Sequence, residues 1–141
     1  MLKKAIVAAA VAAVALSGAV YAQQAAQPPA SPVQPPPVKR TPLGKVEVPG
    51  SNYEVVFGMA ELTPGFKAGR HSHPGTVLAY MLDGEFILEV DGQQATTFSA
   101  GQHFEVPNGA VHNEGAGGAK PAKVIAVYIV EKGKPLVQPA R

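Results

Sequence analysis

The sequence contains no cysteine. That excludes disulfide staples and also a lipid-modified N-terminal cysteine of the bacterial lipoprotein kind. A small fold exported without disulfides has to be held by its core, a metal or a partner chain. Lysine and arginine never cluster, and most stand singly near turns or termini. The 141 residues carry twelve basic and ten acidic side chains, but Lys3 and Lys4 belong to an apparent leader, and without them the charges balance. This excludes the basic footprint of nucleic-acid binding. The apolar run at residues 5–16 falls short of the roughly 20 residues a membrane-spanning helix needs. No segment combines a helical apolar period with caps.

What is present begins with that leader. Lys3 and Lys4 precede the apolar run, and small residues then lead to Ala22 before Gln23. This order is the signature of a secretory signal peptide over residues 1–22, with cleavage after Ala22. It predicts an exported protein, periplasmic or secreted from a bacterium, with no membrane attachment after cleavage. Residues 23–42, QQAAQPPASPVQPPPVKRTP, are rich in Pro, Ala and Gln without apolar periodicity. Proline removes backbone donors and holds the chain extended, so this stretch reads as an exposed, disordered linker. A ligand for a proline-binding domain is the alternative. One globular domain is expected over 43–137, followed by a tail at 138–141.

That domain reads as all-β. NYEVVFGMAELTP is a long strand ending at Pro64-Gly65, and HFEVP and AKVIAVYIVEK are two further strands. Asp83-Gly84 and Asp91-Gly92 each lie between β-prone runs, which predicts a hairpin at each pair. Short strands punctuated by Gly and Pro predict an antiparallel sandwich or barrel. In TVLAYMLDG both parities are apolar, with Val77, Ala79 and Met81 on one face and Leu78, Tyr80 and Leu82 on the other. Such a strand is expected to be buried on both sides, the second side against another sheet or a partner subunit, which predicts a homodimer. Tyr80, Phe86, Phe98 and Phe104 read as core, GAGGAKP (115–121) as a flexible loop, and Arg70 as a solvated turn residue with an anionic ligand as the alternative.

Two of the four histidines stand in GRHSHPG. Side chains at i and i+2 of a strand share a face, so His71 and His73 aim at one point, and imidazole suits Zn, Cu, Fe and Ni. The residues that follow them offer no obvious carboxylate. A third histidine, His112, opens a later strand after PNGAV.

GFKAGRHSHPGTVLAYMLDG resembles the first cupin motif, G-x5-H-x-H-x(3,4)-E-x6-G, with Gly65, His71, His73 and Gly84 on the motif positions. GQHFEVPNGAVHNEGA resembles the second, G-x5-P-x-G-x2-H-x3-N, through Gly101, Pro107, Gly109 and His112. The resemblance covers nearly all of residues 43–137. It implies a small double-stranded β-helix (jelly-roll) barrel, often dimeric, with a metal site in its mouth. The implied ligands of a divalent transition metal (Fe, Mn, Zn, Ni or Cu) are His71, His73 and His112. The sequence departs from the pattern twice: Val77 stands where the family has its glutamate, and Ala116 where it has its asparagine.

Three neutral imidazoles leave the full charge on a divalent metal, so a small anionic molecule is favoured at an open position. His103 or Glu105 would add a fourth ligand or a base if that face of HFEVP points inward, and a polar outer face is the alternative. Three functions compete: a dioxygenase-like metalloenzyme, a non-enzymatic metal-dependent binding or sensing module, and a metal-free structural barrel. Loss of the glutamate and asparagine shifts weight from the first to the second, and retention of all three histidines argues against the third.

Overall fold

A computed structural model of the chain describes residues 37–140. The expected signal peptide and most of the expected linker lie outside the described residues. Ten strands follow in order: β1 (Val38–Glu47), β2 (Tyr53–Leu62), β3 (His71–Ser72), β4 (Gly75–Asp83), β5 (Glu85–Val90), β6 (Thr96–Ser99), β7 (His103–Val106), β8 (His112–Gly117), β9 (Ala122–Glu131) and β10 (Gln138–Pro139). They form two five-stranded antiparallel sheets, ordered β1-β2-β9-β4-β7 and β10-β3-β8-β5-β6. Among the described residues no helix is long and apolar enough to cross a membrane.

The core lies between the sheets and follows from the period of two along each strand. Val77, Ala79 and Met81 of β4 face inward with Phe104 and Val106 of β7 and with Ala122, Val124 and Ala126 of β9. The second sheet contributes Phe86, Leu88 and Ala116. Phe104 carries the contact between sheets, with ring centroids 4.9 Å from Phe86 and 4.7 Å from Phe98.

Five expectations need correction. The linker was expected to run to Pro42, yet β1 begins at Val38 and pairs with β2 from Val38↔Leu62 onward. Proline is tolerated because β1 is an edge strand and its register breaks between Pro42 and Gly44. The tail expected at 138–141 supplies β10, which pairs Gln138 with Ser72 and Pro139 with His71.

Only one Asp-Gly pair makes a hairpin. Asp91-Gly92 turns β5 into β6, whereas Asp83-Gly84 carries the chain from one sheet to the other. Gly84 has φ of 71°, and a Cβ there would stand 2.2 Å from the Pro121 carbonyl oxygen, so the corner excludes any side chain. The loop expected at 115–121 begins inside β8. Gly115 lets the Phe66 backbone cross closely, since a Cβ would meet the Phe66 oxygen at 2.4 Å. Finally, β4 is buried on one side of this chain only: Leu78 is 44%, Tyr80 49% and Leu82 41% exposed, so Tyr80 is not core.

Candidate metal centre

His71 lies directly opposite His112 in the β3–β8 pairing, and His73 follows two residues later. All three are buried, His112 completely. Their ring centroids are 4.3 to 5.2 Å apart, and one ring nitrogen from each lies within 4.8 Å of the others. The structure thus brings together the three histidines that the two motifs nominate.

Backbone carbonyls orient every ring. His71 Nδ1 meets the Gly69 oxygen at 2.8 Å, His73 Nδ1 the Leu136 oxygen at 2.6 Å, and His112 Nδ1 the Ala110 oxygen at 3.0 Å. A carbonyl can only accept, so each Nδ1 donates and carries the proton. The Nε2 lone pairs are left for the centre. Asn113 supports the first contact: its side-chain oxygen accepts from Gly69 N–H at 3.0 Å, and its amide donates to Glu89 at 3.0 Å. That bond, with Lys67, holds the Glu89 carboxyl below its usual range.

Burial lowers His73 to about 4; the Leu136 contact opposes this, and the neighbouring His71 and His112 add to it. Burial also lowers His112. Both rings are neutral at pH 7, the state in which imidazole binds metal. His112 Nε2 is buried without a hydrogen-bond partner. A buried orphan acceptor is costly, and a cation shared with two other lone pairs would satisfy it. The donor set therefore fits a transition metal.

A carboxylate does approach the trio, from another strand. Glu114, two residues beyond His112 on β8, brings Oε2 to 3.7 Å from His112 Nε2. The same i, i+2 rule that pairs His71 with His73 would have found it in HNE. Val77 is buried in the core and gives the cavity an apolar wall. Tyr128 of β9 lies edge-on to His73, with centroids 5.1 Å apart. Burial, and then the Glu114 charge, push its hydroxyl up to about 12, so it keeps its proton. The alternation Val124, Ala126, Tyr128 was its sequence signal.

His103 and Glu105 do not reach the site. Both are exposed on β7, opposite Tyr80 and Leu78, because Phe104 and Val106 take the inward parity. Arg70 pairs with Asp91 at the surface, which raises its pKa through the hydrogen bond and the charge. Arg40, assigned by sequence to the linker, instead lines the mouth from β1. The barrel interior behind the histidines holds a cavity of only ≈ 30 Å³, and the mouth in front one of ≈ 330 Å³.

Residues 58–128 match the family model described as the cupin domain. Among solved structures the chain is similar to a cupin-like protein from Thermotoga maritima, with 22% identity and TM-score 0.61 over 73% of this chain and 75% of that one. It is similar to a conserved protein with a double-stranded β-helix domain from Klebsiella pneumoniae, with 19% identity and TM-score 0.60 over 77% and 91%. A polyketide cyclase from Streptomyces resistomycificus aligns with 20% identity and TM-score 0.59 over 74% and 72%. At these identities the likeness is one of fold. No curated protein matches the chain in sequence.

Proposed function

The chain belongs to the cupin family, and from that premise we propose that His71, His73 and His112 hold a divalent transition metal that binds a small anionic molecule. The observation that carries this is the trio itself: three buried rings, each with Nδ1 committed to a carbonyl and one with an orphaned Nε2. Iron, zinc, nickel and copper all suit imidazole. A metal bound there supplies a Lewis acid that polarises a ligand oxygen. Arg40 at the mouth adds a positive charge and Glu114 a negative one, so the charge of a bound metal is left to attract the anion.

The second reading, a metal-dependent enzyme, rests on Glu114 and Tyr128. They set an acceptor and a protonated hydroxyl beside the open side of the trio. The ligand of either reading is assigned to the mouth, the larger of the two spaces at ≈ 330 Å³ against ≈ 30 Å³ and the one lined by both His71 and His73. Export follows from the leader at residues 1–22. A homodimer would cover Leu78, Tyr80 and Leu82 on the outer face of β4.

Elemental analysis of purified protein reloaded with each metal tests the proposal. One equivalent is expected in the natural chain and none in His112→Ala. Absence of stoichiometric metal in the natural chain, or its retention in the variant, would overturn the assignment.

A further inference from the structure

The three carbonyls that orient the rings come from different distances along the chain. Gly69 and Ala110 each stand two residues before the ring they hold, so those contacts close within a local turn. His73 instead reaches Leu136, 63 residues later, at the shortest distance of the three. Leu136 is held there from both sides. Before it, Glu131 N–H donates to the Pro74 oxygen at 3.0 Å. After it, β10 pairs with β3, and Ala140 N–H donates to the Arg70 oxygen at 3.0 Å. Residues 70–74, which carry both motif histidines, are therefore gripped by one strap. Leu136, Val137 and Pro139 of that strap also line the mouth beside Tyr128 and Arg40.

We propose that residues 135–140 are a positioning element of the metal centre, in which the Leu136 carbonyl fixes His73 with its proton on Nδ1 and its Nε2 lone pair aimed at His71 and His112. This rests on reading the trio as a metal centre. Without the acceptor, either nitrogen of His73 can carry the proton and the ring can turn. Groups that orient metal-binding histidines through the second nitrogen typically control affinity by about 10–100-fold. The segment does this with a main-chain atom, so no side-chain motif records it.

The test uses the full chain, a chain stopped after Pro135, and a chain with two glycines inserted between Pro135 and Leu136. The insertion keeps every residue of the strap but loosens its tie to β9, so that Leu136 is no longer held from both sides. Long-range proton–nitrogen NMR of the metal-free imidazoles at neutral pH should show His73 protonated at Nδ1 in the full chain. In both altered chains His73 should become a tautomer mixture while His71 and His112 stay as they were. Zinc affinity, measured by competition with a chromophoric chelator, should fall about 10–100-fold. An altered chain that folds with its His73 tautomer and zinc affinity unchanged overturns the proposal, as does a full chain with the His73 proton on Nε2. If the stopped chain fails to fold, the insertion decides. A full chain that binds no zinc but whose His73 responds as described sinks the metal reading and leaves the ring-positioning role standing.

Discussion

One end of the barrel is sealed with phenylalanines and the other is lined with histidines, although the same strands build both. Along β8, His112 pairs with Val90 at one end and Ala116 with Phe86 near the other. The two positions are about 13 Å apart at the rise of a strand. At the aromatic end Phe86, Phe98 and Phe104 stack across the sheets and satisfy themselves by contact. At the other end three rings of similar shape meet at similar distances, but one leaves a buried nitrogen without a partner. The aromatic end is complete as it stands, whereas the histidine end leaves an acceptor open, which the proposed metal would satisfy. Among the described residues both ends carry buried core, but only the histidine end leaves a buried polar atom open.

Breaking the aromatic end should cost most. Phe104→Ala removes the ring shared by both sheets and should destabilise the chain by about 3–5 kcal/mol in urea unfolding. Protein that remains folded should still take up metal at the far end. Val77→Glu restores the family's carboxylate at a buried position. Without metal it should cost about 3 kcal/mol, the scale of an uncompensated buried charge. With zinc bound most of that loss should disappear, and an unchanged deficit would show that position 77 does not face the metal.

Between the ordinary histidine range and about 4, acid should act chiefly on the histidine end. The folded-state pKa of His73 is lowered to about 4, so between that value and the ordinary 6.5 the unfolded chain binds more protons. Stability of the metal-free protein is therefore full above about 6.5 and declines as pH falls toward about 4. Bound metal should move the decline to lower pH, which thermal melts across that window would reveal. At the bottom of the scale, His103→Ala and Glu105→Gln should change stability by less than about 0.5 kcal/mol and leave metal stoichiometry unaltered. A loss of metal in either would put β7 back into the site.

The sequence made the trio legible because side-chain identity and spacing carry it. His71 and His73 follow from strand parity, and His112 follows from the resemblance of its surroundings to a known motif. Glu114 obeys the same parity relative to His112, but the family motif puts its carboxylate at the position held by Val77, so the motif does not point to it. Arg40 was hidden by the prolines before it, whose composition resembles a spacer up to the residue where an edge strand begins. Asp83-Gly84 and Asp91-Gly92 are the same dipeptide in similar settings. One turns a hairpin and the other crosses between sheets, because the difference lies in which strands the flanking runs meet. The acceptor for His73 left no trace in the sequence, since every residue has a carbonyl.

The 63 residues between His73 and its acceptor also set an order of events. The Gly69 and Ala110 contacts form as soon as their turns do, but the Leu136 contact must wait for β9 to be laid down and for the segment after it to dock. Closing so long a loop is slow compared with forming a turn. Of the three ring contacts, the one at His73 is therefore the one that depends on the sheet around it being in place. If the trio holds metal as proposed, a chain whose strap has not docked offers two ordered rings and one loose one, so uptake with full affinity would mark a docked strap.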